Sequence, residues 1–170
     1  ENVFLDRVPI MLSLTENFVC GVMGNRKEKE EFLRRMIMRI AFLHSYDEVK
    51  LVLLLDQEIL ENIKYVRFLP HIWDDEKTFR FLATDTASAY LVGEYLNRQI
   101  EPEFEKKREL SDLLKEKAYY VVLAWNKQIF DKLEILKRIM KDDTNHGVSV
   151  VTFFEEVPQY AQEIINLHSD

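Results

Sequence analysis

The sequence has 170 residues, of which 47% are hydrophobic, and it contains only four glycines and four prolines. This length and composition predict one globular domain with a sizeable buried core rather than a disordered segment. The formal net charge of −7 argues against non-specific binding to nucleic acid, which requires a basic face. No apolar run reaches the length of a membrane span, and no signal peptide is recognisable.

The first half of the chain alternates between strand and helix patterns. Val8–Leu14 and Phe18–Met23 are short apolar runs that predict strands. From Glu28 the apolar residues recur at helical spacing, which predicts an amphipathic helix that ends near His44. Lys50–Asp56 is a continuous apolar run closed by an acid, a pattern typical of a parallel strand buried on both faces.

The second half continues the alternation. Four more runs predict strands, and they are Phe79–Ala83, Tyr119–Trp125, Val148–Phe153 and Glu163–Leu167. Asp85 or Thr86 can cap a helix between the first two of these strands, and Pro102 should break or kink that helix. Strands that alternate with helices along the whole chain predict an α/β fold with a mainly parallel sheet flanked by helices.

The single cysteine lies inside an apolar run. Cys20 is therefore predicted to be a buried small hydrophobic residue, and no disulfide can form within the chain. This cysteine usage fits a reducing, cytosolic setting. The sequence begins at Glu1 with no initiator methionine, and we expect a single domain over residues 1–170 that is excised from a larger chain.

Several short motifs follow one another in an informative order. The motifs are Gly21-Val22-Met23-Gly24, Leu43-His44-Ser45-Tyr46-Asp47, Leu69-Pro70-His71, Tyr119–Trp125 and Gly147-Val148-Ser149-Val150-Val151. With this order and spacing, nearly the whole chain resembles the FtsK/SpoIIIE-type P-loop motor ATPases. It looks most like the degenerate ATPase-like domain that precedes the motor domains in the type VII secretion ATPases EssC/EccC.

The resemblance implies a degenerate P-loop domain of the RecA/FtsK-like, Rossmann-like kind. The nucleotide loop would stand at Gly21–Gly24, and Tyr119–Trp125 would be the Walker B strand. The resemblance also implies a cytoplasmic domain of a plasma-membrane protein that takes part in protein export. ATP and Mg²⁺ would be bound by neighbouring ATPase domains of the parent chain. Those domains and other secretion-system subunits would be the partners, and the parent could form a homo-oligomer.

The departures from the family pattern bear directly on catalysis. A working Walker A loop reads GxxxxGK[ST], because its lysine neutralises phosphates and its hydroxyl holds Mg²⁺. After Gly24 this chain continues with Asn25, Arg26, Lys27 and Glu28, without the lysine–hydroxyl pair. The Walker B strand should end in two acids, and here it ends in Trp125-Asn126. We therefore expect no catalytic residues, no ATP hydrolysis and no cofactor in this domain.

The remaining candidate residues have ordinary structural interpretations. We expect His44 to lie at a helix end and His71 to pack in the fold. We expect Asp56 to cap a loop. The spacing of histidines and cysteine predicts no metal site. The degenerate loop, with Gly21, Gly24, Asn25, Arg26 and Lys27, is the weak candidate for ligand binding. Arg26, Lys27, Arg34 and Arg35 are candidates for an interdomain or oligomer interface.

Two other hypotheses remain open from the sequence. The chain fits a stand-alone Rossmann-like module that binds a small ligand or a peptide. It also fits an active enzyme or nucleotide-binding domain with an unusual loop.

Overall fold

The computed structural model describes residues 10–167, and a six-stranded sheet runs through its centre. Every strand pair in this sheet is parallel, which confirms the predicted α/β class. The strands are β1 (Val19–Met23), β2 (Val49–Leu54), β3 (Leu82–Ala83), β4 (Tyr119–Ala124), β5 (Val148–Thr152) and β6 (Glu163–Asn166). Their spatial order is β3-β2-β4-β5-β1-β6.

Helices cover both faces of the sheet. The helices are α1 (Ile10–Glu16), α2 (Arg26–Leu43), α3 (Gln57–Asn62), α4 (Thr86–Lys106), α5 (Leu110–Leu113), α6 (Lys127–Phe130) and α7 (Glu134–Lys141). Two short 3-10 helices, Lys64–Phe68 and Pro70–Ile72, follow α3. The core on one face contains residues of α1, α2 and α3, and the core on the other contains residues of α4, α6 and α7. No helix within residues 10–167 is long and apolar enough to cross a membrane.

The strands are buried on both sides because their side chains alternate between the two cores. In β4, Tyr119, Val121 and Leu123 belong to one core, whereas Tyr120, Val122 and Ala124 belong to the other. The prediction that Cys20 is buried is confirmed, and burial together with the nearby charge of Glu163 raises its pKa to about 12. All strands point the same way, so their carboxyl ends meet at one edge of the sheet, where ligands bind in such folds.

Two predicted strands differ in the structure. Residues 8 and 9 lie outside the described residues, and Ile10–Glu16 forms helix α1 instead of a strand. Its buried residues, Ile10, Ser13 and Leu14, recur at helical spacing. A short apolar run by itself does not distinguish the period of a helix from that of a strand. In the predicted strand 79–83, only Leu82–Ala83 forms a strand paired with β2. The N–H of Phe81, just before it, donates a hydrogen bond to the backbone oxygen of Ile72 in the second 3-10 helix.

Pro102 does not break the helix in which it lies. Asp85 caps α4 as predicted, since its side chain accepts a 2.7 Å hydrogen bond from the backbone N–H of Ser88. The helix then continues through Pro102 to Lys106. Of the predicted break or kink, the break is therefore absent, and the residue after the proline, Glu103, is ion-paired with Arg108 and Lys117.

Glu103 is a buried carboxylate with cationic partners on the segment that follows α4. Its side chain is 1% exposed and accepts two hydrogen bonds from Arg108, at 2.9 and 3.0 Å. The ammonium of Lys117 lies 2.8 Å from Oε2 of Glu103, and that of Lys106 lies 3.8 Å from the same oxygen. Burial by itself raises the pKa of this carboxyl, but the hydrogen bonds and charges of Arg108 and Lys117 outweigh burial and lower the pKa to about 2.

The substitution Glu103→Gln should destabilise the fold by about 3 kcal/mol, because it removes the buried charge that Arg108 and Lys117 share at 3.0 Å or less. The free energy of unfolding in urea measures this loss. Glu101→Gln is the matched control on the same helix, since Glu101 pairs with Arg138 at the surface with both side chains about half exposed. It should change stability by less than about 1 kcal/mol. Equal losses in the two variants would contradict the assignment.

The stabilisation by Glu103 should depend on pH. A carboxyl whose folded pKa is lowered contributes stability that is complete above its ordinary pKa and is lost as the pH falls through the folded value. The unfolding free energies of wild type and Glu103→Gln should therefore converge as the pH falls from about 5 to about 2. Urea unfolding at a series of pH values measures this difference. A constant difference across this range would contradict the role of the ionised carboxylate.

Candidate functional site: a cleft at the carboxyl edge of the sheet

An open cleft of about 1230 Å³ lies at the carboxyl edge of the sheet. It is bounded by the start of α2, by the residues that follow β4 and β5, and by α7. Residues 155–160, part of the connection from β5 to β6, form one wall. The lining is mixed, with apolar, basic and acidic side chains. The position fits the rule that parallel sheets bind ligands at their carboxyl ends.

The connection from β1 to α2 is short and capped by its own side chains. Only Gly24 and Asn25 separate the end of β1 from the first residue of α2. The Asn25 side chain accepts a 2.8 Å hydrogen bond from the N–H of Glu28, and the Glu28 carboxylate accepts a 3.0 Å bond from the N–H of Asn25. This capping box occupies two backbone N–H groups of the kind that a P-loop turns toward phosphate.

The two glycines of this region make room for the carboxyl-terminal part of the chain. Gly21 lies within β1, and a Cβ there would stand 2.8 Å from Cδ of Pro158. Gly24 has a φ of +156°, and a Cβ there would stand 3.0 Å from Cβ of Leu167. Both glycines therefore permit close packing of the segment that runs from β5 through β6.

The two residues after β4 have structural contacts of their own. The Trp125 ring packs on Phe153, with 5.7 Å between ring centroids. The Asn126 side chain caps α6 by accepting a 2.9 Å hydrogen bond from the N–H of Ile129. At the two positions where the resemblance expects acids, one residue is thus a packing aromatic and the other is a helix cap.

Lys29 is a residue of this site that the sequence analysis missed. It is only 7% exposed, it lines the cleft, and its ammonium donates a 2.9 Å hydrogen bond to the backbone oxygen of Phe153. The ammonium of Lys29 lies 5.8 Å from the ring centroid of Trp125, and the guanidinium carbon of Arg26 lies at the same distance. The available signal was its spacing, because Lys29 precedes the buried Phe32 and Leu33 by three and four residues.

The structure brings only some of the predicted loop and interface residues together. Gly24, Asn25 and Arg26 line the cleft, and the guanidinium of Arg26 also pairs with Glu58. Gly21 and Lys27 do not line the cleft, and Lys27 is exposed at the first turn of α2.

The two arginines farther along α2 lie outside the cleft lining. Arg34 is half-buried, with its guanidinium 3.5 Å from the carboxylate of Glu30, whereas Arg35 is exposed. The interface role of these residues stays a prediction.

The other candidate residues take up structural roles. Asp56 lines the cleft and caps α3 by accepting a 2.8 Å hydrogen bond from the N–H of Ile59. The imidazole Nε2 of His71 lies 2.7 Å from the backbone oxygen of His44, which follows the end of α2. Within residues 10–167, no group of three or more histidine, cysteine and acidic side chains is arranged to hold a metal ion.

Comparisons with known proteins find similarity to type VII secretion ATPases. No protein-family model matches it. The chain is homologous to the type VII secretion system protein EssC of Staphylococcus aureus, at 21% identity over 172 residues in strain NCTC 8325 and 20% in strain MSSA476. The alignment covers 97% of this chain and 12% of either relative, so the chain spans about an eighth of their length.

Solved structures agree on the fold. The cytoplasmic domain of the type VII secretion ATPase EccC from Thermomonospora curvata superposes with a TM-score of 0.59 and 12% identity. That match covers 82% of this chain and 16% of the EccC chain. A structure of ATPases 2 and 3 of the same protein, in complex with a signal sequence peptide, superposes with a TM-score of 0.52, 13% identity, and 82% and 25% coverage. The predicted FtsK-like α/β fold is confirmed.

The substitution Gly21→Ala should destabilise the fold by about 1–3 kcal/mol, because the new methyl group overlaps the ring of Pro158. The free energy of unfolding in urea measures the effect. The matched control is Gly93→Ala in α4, where the nearest atom to the new Cβ is 3.6 Å away. That change should stabilise the fold by up to about 1 kcal/mol. If Gly21→Ala were neutral, the close contact with Pro158 would not be required.

Proposed function

We propose that this chain is a non-catalytic ATPase-like module of a type VII secretion motor protein, which contributes to domain packing, assembly or regulation of protein export. The observation that carries the proposal is the occupation of the nucleotide position by structural contacts. The capping box of Asn25 and Glu28 fills the start of α2, and Trp125 and Asn126 pack and cap where acids would act.

The energetics of nucleotide binding support this proposal. Micromolar affinity requires about 8 kcal/mol of binding free energy. A helix N-terminus contributes only about 1 kcal/mol toward an anion, and here the capping box competes for the same N–H groups. The connection of two residues is also shorter than the GxxxxGK[ST] loop that surrounds the phosphates. We therefore propose no cofactor for this domain and assign ATP and Mg²⁺ to neighbouring domains of the parent protein.

The proposed partners follow from the homology to EssC. EccC carries more than one ATPase domain, as the structure of its ATPases 2 and 3 illustrates. We propose that this module packs against neighbouring ATPase domains of its own chain and against other secretion-system subunits, within a parent that can form homo-oligomers. The module would be cytoplasmic, and the parent would reach the plasma membrane through parts outside this sequence. The net charge of −7 fits partners other than nucleic acid.

A titration with Mg-ATP tests the absence of nucleotide chemistry. Calorimetry should detect no binding at micromolar nucleotide, because the phosphate and Mg²⁺ ligands of a P-loop are not assembled here. Release of inorganic phosphate should equal that of a sample without protein. An intact P-loop ATPase domain measured in parallel is the positive control. A low-micromolar dissociation constant, or measurable turnover, would overturn the non-catalytic assignment.

A double charge reversal tests the interface hypothesis. Lys27→Glu combined with Arg35→Glu should weaken assembly of the parent protein, because both basic side chains are exposed on α2. Size-exclusion chromatography and export of secreted substrates measure the effect in the full-length parent. Lys115→Glu combined with Lys132→Glu is the control, with the same change of charge at exposed positions outside the cleft. Wild-type assembly and export in the first variant would contradict an interface on this helix.

A further inference from the structure

The cleft is lined by a buried cation, the ammonium of Lys29. Lys29 is more than nine-tenths buried, and within residues 10–167 no carboxylate lies within ion-pair distance of its ammonium. The backbone oxygen of Phe153 accepts one of its three donor hydrogens. An uncompensated buried charge is costly, and a bound anion would supply the missing partner.

The charge of the cleft lining differs from that of the whole chain. Five of the lining side chains are basic and three are acidic, although the chain carries a net charge of −7. Some of the basic residues already have acidic partners, as in the pair of Lys127 with Asp131. Within residues 10–167, neither Lys29 nor Lys141, at the end of α7, has an acidic side chain as an ion-pair partner. These two lysines therefore offer two separate positions for negative groups.

The wall of residues 155–160 adds exposed apolar surface to the same cleft. Val157 and Tyr160 are 41% and 45% exposed, and both line the cleft. The buried side chains of Met140 and Phe154 extend this apolar surface inward. The volume of about 1230 Å³ exceeds the ordinary range for small-molecule pockets, which ends near about 1,000 Å³. The cleft therefore suits a chain segment better than a compact metabolite.

We propose that this cleft binds an acidic peptide segment with apolar side chains. One carboxylate of the peptide pairs with Lys29 beside Trp125, a second interacts with Lys141, and apolar side chains pack on Val157 and Tyr160. The proposal rests on the proposed function, since the nucleotide position must be free of nucleotide.

The probe for the test is a fluorescein-labelled peptide of twelve alternating glutamate and leucine residues, added to the full chain and followed by fluorescence anisotropy. The peptide should bind, and its affinity should fall as salt screens the charges. The same peptide with glutamine in place of glutamate should bind at least about tenfold more weakly.

Substitutions in the chain locate the binding site. Lys29→Met should weaken binding of the glutamate peptide at least about tenfold. The urea midpoint of this variant should equal or exceed that of wild type, because the substitution removes a buried charge that has no ion-pair partner in residues 10–167. Lys141→Met, on the surface of the cleft, should weaken binding at least about threefold without affecting the fold. Lys115→Met, on a side chain that is 77% exposed and outside the cleft, should change neither property.

Two results overturn different parts of the argument. If the glutamate peptide does not bind wild type, or binds Lys29→Met and Lys141→Met as it binds wild type, the peptide site is wrong and the non-catalytic function is unaffected. If Mg-ATP at micromolar concentration displaces the peptide, the cleft is a nucleotide site and the proposed function itself fails.

Discussion

The close approach of Pro158 to the backbone of Gly21 determines how the carboxyl edge of the sheet is built. This contact holds the connection between β5 and β6 against the middle of β1. Gln162 extends the contact, since its N–H donates to the oxygen of Val19 at 2.8 Å. The position of this connection then places Val157 and Tyr160 in the wall of the cleft. A glycine is needed in β1 because the proline ring occupies the space of a Cβ.

The same edge of the sheet carries different side chains from those of the P-loop pattern GxxxxGK[ST]. The strand, turn and helix that would hold phosphate are present, but the turn is two residues long and Asn25 and Glu28 cap it. Trp125 packs on Phe153 where an acid would hold Mg²⁺. On the function proposed above, packing and capping residues stand where nucleotide ligands would be, in keeping with the principle that function depends on the site rather than on the fold.

Lys29 and Glu103 are two buried charged residues with different surroundings. The ammonium of Lys29 is buried beside the ring of Trp125, and no carboxylate in the part of the chain that the structure describes forms an ion pair with it. An apolar residue at that position should remove the cost of burying the charge. The acidic peptide proposed above would supply the opposite charge. Glu103, by contrast, is buried in ion pairs with Lys106, Arg108 and Lys117.

The sequence by itself determined the order and type of most elements, because β1, α2, β2, β4 and β5 have unambiguous periods and buried runs. It also determined the absence of a lysine–hydroxyl pair after Gly24. Only the tertiary structure decided that residues 10–16 form a helix, that α4 passes through Pro102, and that Lys29 is buried in a cleft. These outcomes depend on contacts between residues far apart in the chain, such as Lys29 with Phe153. The local periodicity of the sequence does not predict such contacts.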